Sequence, residues 1–415
     1  MNVLKGACLF GQSGGPTSVI NSSAAGVFLE ALKQDAITDI YGAEHGIVGI
    51  LNEKFFDIRK EDVRELELLK NTPSSALGSV RYKLKPVDVD ETDYLRILEV
   101  FKKYNIRYFF YNGGNDSMDT CNKISKYLQS KNYECRIIGV PKTIDNDLFG
   151  TDHCPGYGSA AKFVATTMME LYLDTHVYDT GMVTIVEVMG RNAGWLTAAS
   201  SLATLKGYGP DLIYLPEQQF NIDGFVEDVK RVAKAKKNKV IAVISEGVKD
   251  ASGKYISEYS ADLKKDSFGH AQLGGAASVL AGIISDELHI KVRPIEFSLL
   301  QRCAAHIASG NDIEEAFMAG VMAVRYAVQG ETDKMVVFKR DENSKEYKIN
   351  YELMDVELAA NTEKKVPLEW IKKDKSGLTQ EFYDYALPLI QGSSNNTLED
   401  SLPRFAKLKK IYVNK

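Results

Sequence analysis

Along roughly its first 300 residues the chain alternates short apolar runs with amphipathic helical patterns, and this leaves few folds open. The runs are Val3–Phe10, Tyr108–Tyr111, Arg136–Val140, Met182–Met189, Asp211–Leu215, Val240–Ser245 and Val292–Leu299. Strand-length apolar segments separated by helix-length periodic ones are the signature of βαβ units, and therefore of α/β sheets. In such sheets ligands lie beyond the carboxyl ends of the strands. The turns that follow the runs are therefore the places to look for chemistry.

Four of those turns are rich in glycine or polar residues: Gly11–Gly15 (GQSGG), Gly113–Ser117 (GGNDS), Pro141–Asp147 (PKTIDND) and Met189–Gly194 (MGRNAG). Gly14 and Gly15 would let a phosphate approach bare backbone N–H groups at the start of a helix expected from about Thr17. Alone, such a turn is as consistent with a purely structural role. It matches neither the dinucleotide fingerprint nor the P-loop, which argues against both. The GGNDS turn repeats the arrangement, and Asp116 or Ser117 could there be a simple N-cap. PKTIDND says more, since a lysine, a threonine and two carboxylates, Asp145 and Asp147, fall at the end of a buried-looking strand.

Composition removes several classes of function. With 415 residues, 44% hydrophobic and 26% charged, the chain can build two domains with real cores. A net charge of −5 without a basic block does not suit a nucleic-acid partner. Five dispersed cysteines, none spaced C-x-x-C, argue against a disulfide framework or a structural zinc site and for a reducing compartment. No apolar run is long enough for a membrane span and the amino terminus lacks the pattern of a secretion signal, so a cytoplasmic protein is expected.

Phosphoryl transfer requires a base for the attacking hydroxyl, cations against the transferred group, donors aimed at its oxygens and backbone that admits phosphates. The first three turns could supply all four. Taken in order, GQSGGPTSVIN, LGSVR (Leu77–Arg81), GGNDS, PKTIDND, VEVMGRNAGWL, SEG (Ser245–Gly247) and QR (Gln301–Arg302) resemble the phosphofructokinase family over about residues 3–330. The resemblance implies a fold of two Rossmann-like three-layer α/β/α domains with the active site between them. The expected division is a phosphoryl-donor domain over 1–155 with a return segment 304–330, a sugar-phosphate domain over 156–303, and a peripheral appendage over 331–415. It also implies a homo-oligomer, dimer or tetramer, with arginines reaching across subunits.

The same resemblance assigns roles. Asp145 is the expected base for the 1-hydroxyl of fructose 6-phosphate, with Thr143 and Ile144 beside it on the substrate. Met189, Gly190, Arg191 and Glu246 fall at the sugar-phosphate site, and Arg293 and Arg302 match arginines that clamp the 6-phosphate. Gly15, Arg81 and Gly114 match the donor site. Mg²⁺ is the expected cofactor.

Departures from the family pattern bear on the donor. ATP-using relatives read G-G-D-G and P-G-T-I-D-N-D, whereas Asp116 and Lys142 stand here in place of two glycines, as in the pyrophosphate-dependent branch. A carboxylate at 116 would repel a nucleotide α-phosphate by roughly 4 kcal/mol at 4 Å and an effective dielectric near 20. Lys142 would set an ammonium against the transferred and leaving phosphates. Inorganic pyrophosphate is therefore the expected donor, with Asp116 and Lys142 joining Asp145 as catalytic residues. Asn115 replaces an aspartate that helps hold Mg²⁺, so Asn115 and Asp116 are the candidate ligands. Met182 and Leu299 stand where relatives place polar groups for the sugar phosphate, and Ala25 and Leu29 where allosteric members carry effector arginines; no nucleotide activation is expected. An ATP-dependent phosphofructokinase, a silent sugar-phosphate-binding regulatory subunit and a nicotinamide oxidoreductase are the rival readings.

Overall fold

The structure, a computed structural model, describes residues 4–259, 275–360 and 362–414. Eleven strands build two sheets: β1 (Gly6–Gln12), β2 (Ile37–Ala43), β3 (Phe55–Asp57), β4 (Ile106–Gly113), β5 (Arg136–Pro141), β6 (Met182–Val188), β7 (Leu212–Tyr214), β8 (Lys239–Ser245), β9 (Val292–Glu296), β10 (Lys334–Arg340) and β11 (Ile349–Asp355). The larger sheet has the order β11-β10-β5-β4-β1-β2-β3, and its five central strands are parallel. The smaller sheet, β7-β8-β6-β9, is parallel throughout.

Continuous apolar runs form the inner strands β1, β4, β5, β6 and β8, which are covered on both faces, whereas the edge strands β9 and β11 are partly exposed. In β1, Ala7 and Leu9 enter one core cluster while Cys8 and Phe10 enter the other. In β6, Val183 and Ile185 face one cluster and Val186 and Val188 its counterpart across the sheet. The covering helices used below are α1 (Ile20–Ala31), α2 (Asn115–Ser130), α3 (Tyr157–His176), α4 (Ala276–Leu288) and α5 (Gly310–Gln329). Helices α1 and α5 cross closely, because a Cβ on Gly26 would collide with the Phe317 carbonyl and one on Gly320 with the Ser23 carbonyl. No helix among the described residues is long and apolar enough to cross a membrane.

Three expectations are corrected. Helix α1 begins at Ile20 rather than Thr17: Pro16 follows the glycines, and the Thr17 hydroxyl accepts from the Val19 N–H at 3.2 Å, which delays the helical register. The run Val292–Leu299 ends as a strand at Glu296, because Ser298 takes φ 44° and the chain turns into the short helix Leu300–Cys303. The chain beyond residue 330 is not peripheral. Strand β10 pairs parallel to β5 inside the larger sheet and buries Met335, Val336, Val337 and Phe338, and β11 pairs antiparallel outside it.

Strand order fixes where a site can form. From β1 the chain goes to β2 on one side, then returns to β4 on the other, so the sheet switches direction between β1 and β4. The GQSGG, GGNDS and PKTIDND turns leave the carboxyl ends of β1, β4 and β5 at and beside this switch. In the smaller sheet, MGRNAG and SEG leave the carboxyl ends of the neighbouring strands β6 and β8.

Candidate active site

The first turn is built by side chains that bind backbone. Gln12 Oε1 accepts from the Leu77 N–H at 3.0 Å and its Nε2 donates to Asn21 Oδ1 at 3.0 Å. The Gly14 N–H donates to the Val80 carbonyl at 3.1 Å, and Ser79 Oγ donates to the Gly14 carbonyl. LGSVR is thereby laid along GQSGG, and Arg81, with an exposed side chain, stands at its rim. Gly14 needs its missing side chain, having φ 75°. A Cβ on Gly15 would lie 2.7 Å from Arg302 Nη1.

Lys142 reaches this turn from β5. Its N–H donates to the Gly113 carbonyl at 3.0 Å, and its buried ammonium donates to the Gly15 carbonyl at 2.8 Å. Burial lowers the ammonium to about 8 against partial support from Asp145, while Arg302 and Arg81 press it further down. Gly114 is the N-cap of α2, and its Cα faces Thr143.

Asp145 follows in a tight turn whose N–H donates to Thr143 Oγ1 at 3.1 Å. Burial raises its carboxyl above the usual range, against the pull of Lys142, Arg191, Arg302 and Arg81 in that order. The Asp147 carboxyl rises to about 7 through burial first and repulsion from Asp145 second. Two like-charged groups are thus held together in a confined place, which suits both a base tuned towards neutrality and a cation.

On the facing side, the Gly190 N–H donates to Glu246 Oε1 at 3.3 Å and the Met189 N–H to Gln301 Oε1 at 3.2 Å. A Cβ on Gly247 would sit 2.5 Å from the Gly190 carbonyl oxygen, so SEG packs against MGR only with glycine there. Glu246 is raised to about 7, by burial and then by Asp145 and Glu187, with Arg191 opposing. A cavity of about 60 Å³ is lined by Glu187, Met189, Glu246, Glu296, Ser298 and Gln301 among others. Arg302 bridges the halves: it approaches Gly15 and acts on Asp145 and Glu246 together.

The residues singled out as departures, and Arg293, differ in where they lie. The Asp116 side chain is 74% exposed in the first turn of α2, with Lys83 Nζ at 3.9 Å, and does not join the half-buried carboxylates Asp145 and Asp147. Asn115 does, donating from Nδ2 to Asp147 Oδ2 at 3.1 Å. Arg293 pairs in register with Thr184, midway along β6, and its half-exposed guanidinium lies 3.7 Å from Asp174 near the end of α3. Met182 is buried at the opposite end of β6 from Met189, and Leu299 is exposed.

Residues with no sequence signal complete the site. Glu363 accepts from Asn192 Nδ2 at 2.7 Å and pushes the Asp147 carboxyl upward, while the Lys364 N–H donates to the Asp147 carbonyl at 2.8 Å. They come from polar, aperiodic sequence beyond β11. Asn146 is at zero exposure between the two aspartates, and its place inside PKTIDND was the one hint of importance.

The buried oxygens suit a hard divalent cation. Among the described residues, Asn115 Oδ1 is buried without a partner, beside the Asp147 carboxylate. Among those residues no group of three His, Cys, Asp or Glu side chains is arranged to hold a metal ion, so a cation here would share its shell with ligand oxygens.

Comparison with known proteins identifies the family and the fold. The phosphofructokinase family model matches residues 8–294. A pyrophosphate–fructose 6-phosphate 1-phosphotransferase of Xanthomonas campestris is 42% identical over 99% of this chain and 98% of its own, and one of Halomonas elongata 40% over 98% and 97%. The crystal structure of a pyrophosphate-dependent phosphofructokinase from Nitrosospira multiformis superposes with a TM-score of 0.88 at 38% identity, covering 99% of this chain and 98% of that one. With both sheets, the turns at their strand ends and the full-length relatives in agreement, the chain belongs to the phosphofructokinase family.

Proposed function

We propose that the protein transfers a phosphoryl group reversibly from inorganic pyrophosphate to the 1-hydroxyl of fructose 6-phosphate, yielding fructose 1,6-bisphosphate and phosphate. The observation that carries the reading is Lys142: a buried ammonium, in a position where ATP-using relatives have glycine, bound to the donor turn at the Gly15 carbonyl and acting on Asp145. Full-length relatives at about 40% identity bear the same activity in their names.

Asp145 accepts the proton of the sugar hydroxyl as its oxygen attacks the phosphorus. The bond from that phosphorus to the bridging oxygen breaks, and phosphate leaves. Burial raises the carboxyl above the usual range, which strengthens it as a proton acceptor, and Lys142, Arg191 and Arg302 favour its charged form. Lys142 and Arg81 offset charge on the donor phosphates, and the open backbone of Gly14 and Gly15 lets those phosphates approach. Glu246 and the MGR backbone hold the sugar. Mg²⁺ would be held by Asn115 Oδ1 and Asp147 together with pyrophosphate oxygens, and it supplies charge neutralisation on the transferred group.

Arg293 lies on an outer face, which suits service to a neighbouring subunit's sugar phosphate in a homo-oligomer. The five cysteines are unpaired thiols, four of them buried, in keeping with the cytoplasm. The test is product formation from fructose 6-phosphate with pyrophosphate, with ATP or with neither. Asp145→Asn should lower kcat by at least roughly 10²-fold. Product with ATP alone, or near wild-type kcat in Asp145→Asn, would refute the donor or the base respectively.

A further inference from the structure

Asn146 sits between the two aspartates of the catalytic turn in the left-handed region, with φ 54° and no solvent exposure. Asparagine tolerates this backbone better than most residues, but it needs its side chain held to stay there. Asn146 Oδ1 accepts from the Cys154 N–H at 2.9 Å, and its Nδ2 donates to Tyr385 Oη at 2.7 Å. We propose that Tyr385, far along the chain, is a positioning residue for the reaction, fixing through Asn146 the turn that carries Asp145 and Asp147. The proposal rests on Asp145 being the base.

The Tyr385 hydroxyl is fully used. It donates to the Asp152 carbonyl at 2.8 Å and accepts from Asn146 and, at 3.4 Å, from Lys364 Nζ. A phenol has one hydrogen and two lone pairs, and here all three are engaged. Its ring is wedged by Trp195 at 5.1 Å, Trp370 at 5.8 Å and the Arg340 guanidinium at 5.2 Å. Asp152 is itself anchored, by Arg340 at 3.0 Å and by buried His153 at 2.8 Å, which also binds Glu315 at 2.7 Å. The same segment grips the turn from its other end through the Lys364 N–H and the bridge between Leu148 and Glu363.

The anchor matters because Asp145 and Asp147 flank a buried residue held in left-handed backbone, so the aim of both carboxylates depends on that one residue staying in place. Without it, the turn would relax and move the base off the line of attack, and displacements near 1 Å can cost about 10²-fold in rate. A side chain that merely stabilised the fold would change the melting temperature and leave kcat alone.

Tyr385→Phe removes one oxygen and keeps the ring. Assayed well below its melting temperature, it should lose about 10- to 100-fold in kcat while KM for fructose 6-phosphate and pyrophosphate stays within about twofold. Asn146→Gly keeps the backbone conformation, removes the amide and should show the same loss; it also serves if Tyr385→Phe folds poorly. Because one acts through the other, the double variant should be no slower than the slower single. Wild-type kcat in Tyr385→Phe, or losses that multiply in the double variant, would overturn the proposal. In either case a dead Asp145→Asn leaves the base assignment standing, whereas an active Asp145→Asn removes the base assignment and this proposal with it.

Discussion

Lys142 offers a measurement in which burial can be read directly as a pH profile. Its ammonium is lowered to about 8, chiefly because it is taken from water, and its charge is needed against the donor phosphates. In the free enzyme the protonated fraction should be about 0.9 at pH 7 and about 0.1 at pH 9. The ratio kcat/KM for pyrophosphate should therefore fall about tenfold between those values, with a limb near pH 8. The limb should be weaker in kcat, because a bound pyrophosphate holds the proton on. Lys142→Arg keeps a charge that does not titrate in this range, though the fork must fit where a Cβ on Gly14 would already be 3.3 Å from the ammonium. The variant should be slower overall but lack the limb. The ratio of wild type to variant across pH then isolates Lys142, since any titration of pyrophosphate itself cancels. Lys142→Met should lose about 10²–10³-fold in kcat at pH 7. An identical limb in wild type and Lys142→Arg would refute the reasoning, because some other group would then be titrating.

Other expectations follow from where the side chains lie. Asp116 is exposed, so its repulsion of a nucleotide phosphate at about 4 Å falls from the roughly 4 kcal/mol of a shielded site towards about 1 kcal/mol, and Lys83 offsets part of that; Asp116→Gly should raise relative ATP use about fivefold, and a gain above a hundredfold would mean that the carboxylate turns inward. Asn115→Asp should lower the Mg²⁺ concentration giving half-maximal rate, since a hard anionic oxygen replaces an amide beside Asp147, and an unchanged Mg²⁺ curve would separate residue 115 from the metal. Arg302→Ala should raise KM for both substrates by about 10- to 100-fold, because the guanidinium stands against Gly15 and also acts towards Glu246; an effect on one KM alone would assign it to that substrate. Glu187, buried and raised to about 7, binds protons more tightly folded than unfolded; its contribution to stability is present below about pH 4.5 and lost as pH rises through 7. Glu187→Gln should flatten the pH dependence of the melting temperature across that window, and an unaltered slope would count against a buried acid there.

The sequence by itself determined the class of fold and the chemistry of the turns, because both are written in local terms. A strand buried on both faces must read as a continuous apolar run, and a backbone that phosphates approach must lack side chains, so β1, β4, β5, β6 and β8 and the GQSGG and PKTIDND turns were legible from residue types alone. The tertiary structure decided what depends on separation in space. It put Asp116 in solvent, drew Asn115 to Asp147, set Arg293 on an outer face and inserted β10 beside β5. It also brought Glu363, Lys364 and Tyr385 against a turn more than 200 residues earlier in the chain. Those residues lie in polar, aperiodic sequence whose pattern names no partner, and a hydrogen bond such as that from Asn146 to Tyr385 leaves no trace in composition or spacing, since only the folded backbone brings its two ends within 2.7 Å.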